Sequence, residues 1–409
     1  MNPEKRTKVV MLGLFLGNTE IGLTDSLASQ SLIDFTFISV CWYGSHPPGD
    51  PSKSNNFRVR YQRSYNHFYA DNPSESEALI AAADLLIVGA SDPAKFKRYI
   101  GKKPICFFRE RYYKKPAKAS RFLHDWLSML FQFRLYNSRK LFLLTSSSFS
   151  YGDFSRFGCF KNRAFSLPYS VPDNPKDSQQ LQSKFSSSHI NICFVGNLQV
   201  EKRPFWLLDY ANHLRTKFQD FTLYIVGHNG LEEQLKQSCD QLGLNSNVVF
   251  PGPEVRDYLD RSQIYVTTGG RDEGFNCGLY SAMQSCCACV SSCENGSGFE
   301  LVHHRKTGLL YTTKDDFFKL MDELVFDPKL QKELGIAGHD YYESTWKPSL
   351  FGERFQTVLP VLLTGGTSKD IAYRDGPMAP SYLIKYWGKK PHSHKYEFEK
   401  IRNNPEAYR

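Results

Sequence analysis

Residues 263–310 read QIYVTTGGRDEGFNCGLYSAMQSCCACVSSCENGSGFELVHHRKTGLL. The order is a short apolar strand ending at Thr267, a glycine-rich turn opened by a carboxylate, a helix beginning near Asn276, a second strand and a second glycine-rich turn. The strand delivers a tight loop, Gly269-Gly270-Arg271-Asp272-Glu273-Gly274-Phe275, onto a helix N-terminus. A helix start of this kind offers free backbone N–H groups and the positive end of its dipole to an anion. With Glu273 beside it, the turn suits a phosphate and a sugar hydroxyl held together.

Working outward, short β-rich runs at 190–195, 222–226, 248–250, 264–267 and 288–291 alternate with helical stretches. The first half repeats the pattern, with apolar runs at 9–16, 35–42, 85–88, 105–108 and 141–145, and a long amphipathic helix expected over 118–140. Such alternation predicts buried parallel strands in doubly wound α/β sheets. A proline-punctuated stretch from Leu167 and the Ser/Gln/Lys-rich residues up to Ser188 read as an interdomain linker. Helical runs follow at 315–326, 328–342 and 350–363. Beyond Thr364 the Gly, Pro, Lys and Tyr content predicts an extended or partly disordered tail, with local order around Tyr382 to Trp387.

The segment from Glu273 resembles the donor-sugar signature of the retaining GT-B glycosyltransferases of family 4, the group 1 glycosyltransferases. Glu273-Gly274-Phe275 matches their Glu-Gly-Phe-Gly turn, and Gly296-Ser297-Gly298, Glu300-Leu301-Val302 and Thr307-Gly308-Leu309-Leu310 match the pattern downstream. Ser281 stands where the family has a second Glu, and Cys287-Ala288-Cys289-Val290 replaces Gly-Leu-Pro-Val. The resemblance implies the GT-B plan, two Rossmann-like domains facing across a cleft. Residues 1–167 would bind acceptor, 168–188 link, 189–345 bind the nucleotide sugar and 346–363 cross back to the first domain, leaving 364–409 as a basic tail.

The second domain opens with Cys193-Phe194-Val195-Gly196-Asn197-Leu198-Gln199-Val200-Glu201-Lys202-Arg203-Pro204. By the resemblance, Lys202 takes the place of the lysine that contacts the donor diphosphate, and Asn197 that of the companion arginine. A cation there stabilises the charge that grows on a departing diphosphate, and Arg203 or Arg271 could supply the second. Glu273 would anchor sugar hydroxyls, the amides of Gly274, Phe275 and Asn276 would cradle phosphate, and Ser281 would face the ribose. Gly227 and Gly252 follow strands, at the edge where ligands of open α/β sheets collect. On the acceptor side, Gly17, Arg109 and Glu110 follow strands of the first domain.

The chain has 409 residues, 41% hydrophobic and 14% aromatic, which suits two filled cores. Ten cysteines without regular spacing point to reduced thiols and a cytoplasmic setting. No Asp-x-Asp pair occurs, so no catalytic metal and no cofactor is expected. The cluster Cys286, Cys287, Cys289 and Cys293 has no familiar zinc spacing and reads as buried packing. The apolar run at 9–16 is a first strand rather than a signal peptide, and no run reaches the roughly 20 residues that span a bilayer.

Net charge is +9, but residues 91–163 carry 17 Lys and Arg against 4 Asp and Glu. Interleaved with Tyr112, Tyr113, Phe122, Trp126, Phe131 and Phe133, that block suits an anionic membrane surface. No nucleic-acid recognition motif accompanies it. The expected protein is a hexosyltransferase of polysaccharide, lipid-linked saccharide or glycolipid synthesis, peripheral on the cytoplasmic membrane face. Two rival readings are a non-catalytic GT-B saccharide- or nucleotide-binding protein and a sugar-nucleotide epimerase, which would turn over its substrate without an acceptor.

Overall fold

The computed structural model describes residues 6–40, 62–89, 93–115, 119–133, 140–227, 230–252, 255–386 and 391–409. In β1 (Thr7–Gly13) side chains alternate between two covered faces, Val9 and Met11 entering one core and Val10 and Leu12 another. With β2 (Ile33–Ser39), β3 (Asn66–Phe68), β4 (Leu85–Val88), β5 (Ile105–Arg109), β6 (Leu141–Thr145) and β7 (Ala164–Ser166) it forms a seven-stranded sheet in the order 3-2-1-4-5-6-7. Every pairing is parallel.

The second sheet has six parallel strands in the order 10-9-8-11-12-13, from β8 (Ile190–Val195), β9 (Phe221–Val226), β10 (Val248–Val249), β11 (Ile264–Val266), β12 (Ala288–Ser292) and β13 (Leu309–Tyr311). In both sheets the order reverses beside the first strand. A topological switch of this kind opens a crevice at the strand C-termini, and the two crevices supply the loops of the site.

Of the helices, α1 (Asn18–Ala28) follows β1, α2 (Phe122–Gln132) follows β5, and α3 (Phe205–Arg215) and α4 (Cys277–Gln284) follow β8 and β11. The chain then continues through α5 (Lys314–Phe326), α6 (Pro328–Tyr341), α7 (Pro348–Thr364) and α8 (Pro391–Asn403). Helix α7 returns to the first domain and packs on α1. The Ser26 hydroxyl donates to the Ser349 carbonyl at 3.0 Å and accepts from the Gly352 amide at 2.8 Å. Gly352 is needed there, because a Cβ would fall on the Ser26 carbonyl.

Three sequence expectations need correction. The helix expected over 118–140 is ordered as α2 alone, preceded by a short 3-10 turn, while Lys118 and residues 134–139 lie outside the described residues. The run at 35–42 is a strand only to Ser39, and Trp42 lies outside the described residues. The segment after Thr364 is largely extended up to Tyr386 and ordered around Tyr382, as expected, but it packs into the core instead of standing off as a tail, and it ends in helix α8. Met378, Ala379, Tyr382, Ile384 and Tyr386 are buried, Phe165 bridges Pro380 in antiparallel sense, and Phe398 and Ile401 of α8 enter the core. Trp387 lies outside the described residues.

Candidate functional site

Strand β11 feeds the loop that runs from Thr267 to α4. Asn276 is the N-cap of α4. Its side-chain oxygen accepts from the Leu279 amide at 2.8 Å and the Tyr265 hydroxyl at 3.1 Å, while its nitrogen donates to Thr267 Oγ1 at 2.9 Å and Glu273 Oε1 at 2.8 Å. These four contacts fix the amide orientation and tie cap, strand and carboxylate into one unit. Close packing holds the helix start against the sheet, since a Cβ on Gly278 would lie 2.6 Å from the Tyr265 hydroxyl and 3.1 Å from the Val195 carbonyl.

The Glu273 side chain is 4% exposed and forms an ion pair with Lys202, which arrives from the turn Val200–Lys202 after β8. Asn295 Nδ2 donates to its other oxygen at 2.8 Å. A buried carboxylate needs such donors. The glycines before it are explained by this crowding. A Cβ on Gly269 would strike the Glu273 carboxylate, and one on Gly270 would lie 2.6 Å from the Arg203 guanidinium.

The amides expected to cradle phosphate are those of Gly274, Phe275 and Asn276. The Asn276 amide already donates to Ser297 Oγ at 3.3 Å. The Gly274 and Phe275 amides, with those of Cys277 and Gly278 in the first turn of α4, have no protein acceptor among the described residues. These four unsatisfied N–H groups lie beside Lys202, the kind of donor set that a helix start offers to an anion.

Of the other donor-side residues, Gly196 donates its amide to the Val226 carbonyl at 3.0 Å, and Gly227 must lack a side chain because a Cβ would meet the Gly196 carbonyl. Asn197 is exposed on the same edge, and Ser281 is half-buried on α4. Gly252 turns with φ +84°. Arg203 pairs with Glu294 at 2.5 Å, and the Tyr386 hydroxyl donates to the other Glu294 oxygen at 2.7 Å. Burial alone would raise the Glu294 carboxyl; Arg203 and Tyr386 outweigh it and hold it below its ordinary value. Arg271 is engaged elsewhere, donating to the carbonyls of Tyr113 and Tyr386.

From the first domain, Glu110 reaches across the cleft, its carboxyl 2.7 Å from where a Gly274 Cβ would stand, and pairs with Lys114 at 2.6 Å. Arg109 turns back instead, donating to the carbonyls of Val88, Gly89 and Phe108. Gly17 precedes α1, where its amide donates to Glu20 at 3.2 Å. The Ser148 amide and hydroxyl both donate to the Gly296 carbonyl, at 2.8 and 2.7 Å, joining the domains beside the loop that carries Glu273. Glu20, Ser148, Glu294, Asn295 and Tyr386 are not singled out by the sequence, whereas Ser297 lies in the motif Gly296-Ser297-Gly298. Of these only Glu294 and Asn295, leading into the second glycine-rich turn, carry a local signal.

Burial pushes the Cys277 thiol up to about 12, with Glu20, Glu273 and Glu110 adding to it. A thiol so placed is no thiolate nucleophile at neutral pH. Burial also raises Glu20, against the pull of the Thr19 and Gly17 donors, and Glu110 adds like charge. A carboxyl raised by folding stabilises the protein fully below its unfolded value near 4.5, and that contribution is lost as pH climbs through the raised value. Glu20→Gln, which keeps an acceptor for both donors, is therefore expected to be more stable than wild type at pH 7, the difference vanishing towards pH 4. Urea unfolding at the two pH values checks this, and a less stable variant at pH 7 would refute it.

Residues 176–340 match the family model of the group 1 glycosyl transferases. Most of the chain resembles solved structures. HepE of Anabaena, solved with UDP, superposes with a TM-score of 0.65 at 13% identity over 87% of this chain and 99% of its own. A glycosyltransferase from Rickettsia africae gives 0.65 at 12% over 88% and 99%, and a sucrose-phosphate synthase from Thermosynechococcus elongatus 0.62 at 12% over 88% and 100%. At such identities the likeness establishes the fold, which is GT-B. No curated protein matches the chain in sequence at a significant level.

Proposed function

We propose that this protein is a nucleotide-sugar-dependent glycosyltransferase that moves a hexosyl group to a saccharide or lipid-linked acceptor with retention of configuration, as in family 4. The observation that carries the reading is the Lys202–Glu273 pair beside four free amides at the start of α4. The group 1 match over 176–340 and the GT-B neighbours, one of them solved with UDP, support it. On donor binding Lys202 turns from Glu273 to the diphosphate, where it and the helix start stabilise the oxygen that gains charge as the bond to the sugar breaks. Glu273, released from the lysine, accepts from sugar hydroxyls. Ser281 meets the ribose with a single hydroxyl, and Gly227 and Gly252 border the base. Glu110 and Gly17 lie on the acceptor side. No step requires a metal.

The test is incubation with a panel of nucleotide sugars, with and without saccharide and lipid-linked acceptors, following nucleoside diphosphate release and the anomeric configuration of product by NMR. Acceptor-dependent release with retention supports the proposal. Turnover of the nucleotide sugar without acceptor and without sugar transfer would indicate an epimerase. Binding without turnover would favour the non-catalytic reading, for which the exposed Asn197 and the single hydroxyl of Ser281 speak.

We place the protein on the cytoplasmic face of an anionic membrane, in polysaccharide synthesis. Helix α2 buries only Asp125 and Met129, leaving Phe122 41%, Leu123 66%, Leu127 38% and Phe131 54% exposed. Lys114, Lys115 and Arg121, on the segment leading into it, are also exposed. An apolar helix face preceded by cations fits an interfacial helix. No helix among the described residues is long and apolar enough to cross a membrane, and their nine cysteines are free thiols. Cosedimentation with phosphatidylglycerol vesicles is expected for wild type, weaker at high salt, and lost in Leu123→Ser/Phe131→Ser. Equal sedimentation of that variant would exclude α2 as the contact.

A further inference from the structure

The segment after Thr364 crosses the junction of the two domains at Tyr386. Arg111, just after β5, and Arg271, in the donor loop, both donate to the Tyr386 carbonyl, Arg111 at 3.1 Å. Both guanidiniums also lie against its ring, Arg271 at 4.2 Å and Arg111 at 5.5 Å from the centroid. Phe149 flanks Arg111 on another side at 4.6 Å, and Asp153 Oδ2 stands 3.5 Å from its Nε, with neither the Arg111 nor the Asp153 side chain exposed. Two like charges from opposite domains are thus held together in a buried place. Arg111 lowers the Arg271 guanidinium further after burial has done so. The Tyr386 hydroxyl meanwhile holds Glu294, the partner of Arg203.

The segment is fixed on both sides of this point. Ser166 of β7 donates its amide to the Ala379 carbonyl and accepts from the Met378 amide, the Ala164 carbonyl accepts from the Ser381 amide, and a Cβ on Gly152 would strike the Ile384 carbonyl. Arg402 donates to the Leu310 carbonyl and to Asp316, each at 2.9 Å, on the second domain.

We propose that Tyr386 is a positioning residue for donor binding: inserted between Arg111 and Arg271, it offsets their repulsion, clamps the cleft and fixes the donor loop that carries Glu273. The carbonyl and ring supply the acceptor and the π-face that two guanidiniums need; removing the ring leaves the backbone carbonyl and the charges of Asp153 and Glu294 but takes the π-face away from both guanidiniums. The inference rests on the donor-site reading above.

The test uses the full chain, with UDP as probe and with interdomain distances from spin labels on non-natural amino acids at positions 34 and 329. Tyr386→Ala is expected to lengthen and broaden the distance distribution and to weaken UDP binding at least tenfold. Tyr386→Phe keeps the ring that the Ala variant lacks, so its distances should be those of wild type and its UDP affinity within threefold. If Tyr386→Ala does not fold, Tyr386→Leu, which retains apolar bulk, takes its place with the same expectation. Wild-type distances and affinity in the Ala or Leu variant would overturn the clamp. So would equal losses in the Phe variant, because they would assign the effect to the hydroxyl alone. If wild type binds none of UDP, GDP and ADP, the donor reading fails, and the distances alone then decide: unchanged in Tyr386→Ala overturns the clamp, lengthened supports it.

Discussion

Lys202→Ala is expected to lower kcat by about a hundredfold to a thousandfold, the usual cost of removing one preorganised group that stabilises charge in the transition state. The structure adds a second consequence. Glu273 is buried, and Lys202 is its only charged partner among the described residues, the side-chain amides of Asn276 and Asn295 remaining to hold it. The variant should therefore also lose about 1–3 kcal/mol of stability, the typical cost of leaving a buried polar group short of a partner. The two losses separate on adding Glu273→Gln. The uncharged side chain no longer needs the lysine, so stability should recover while activity does not. Steady-state kinetics and denaturant unfolding on the single and double variants check this. An active Lys202→Ala would mean that the diphosphate is held elsewhere.

Gly296→Ala is expected to reduce kcat/KM by about a hundredfold, comparable to the loss from a 1 Å displacement of catalytic groups. A Cβ there would fall on the Gly274 carbonyl and on Ser147 Oγ, and the Gly274 carbonyl carbon stands only 2.9 Å away. Backbone cannot yield as a flexible side chain can, so the second glycine turn or the donor loop must shift. The Gly296 amide bonds the Glu273 carbonyl at 3.1 Å, and the Gly296 carbonyl takes both donors of Ser148. One methyl thus disturbs the loop carrying Glu273 and the junction with the first domain. Overpacking should also cost about 1–3 kcal/mol. A structure of the variant with the donor loop unmoved and kcat/KM unchanged would contradict this.

The strands of the second domain could be read because each is a short apolar run closed by a glycine or a turn, and because burial on both faces removes polar interruptions. Helix α4 and its N-cap Asn276 were legible for the same local reasons. The strands missed were short edge strands: β3 is Asn66-His67-Phe68, too polar and brief to show a period, and β7 and β13 have three residues each. For the segment after Thr364, extended chain and order around Tyr382 were legible, but its composition hid how far it packs into the core. Its inward residues Tyr382, Ile384 and Tyr386 alternate with exposed Leu383 and Lys385, a period-two signal that Gly, Pro and Lys content obscured. No local rule could indicate that Arg271 would leave the donor site for Tyr386, or that Glu110 would meet Gly274. Those contacts join residues more than a hundred positions apart and exist only once the domains face each other.

The most direct test of the account is thermal unfolding of wild type, Lys202→Ala and Glu273→Ala with saturating UDP, GDP, ADP and their sugar conjugates. A ligand that binds only the folded protein raises the midpoint by mass action, by about 2.7 kcal/mol of added stability at a hundredfold excess over its dissociation constant. The account predicts that one nucleotide raises the wild-type midpoint, that Lys202→Ala loses the shift, and that Glu273→Ala keeps the nucleoside diphosphate shift but loses the increment from the sugar. A wild-type midpoint that no nucleotide moves would contradict the donor site.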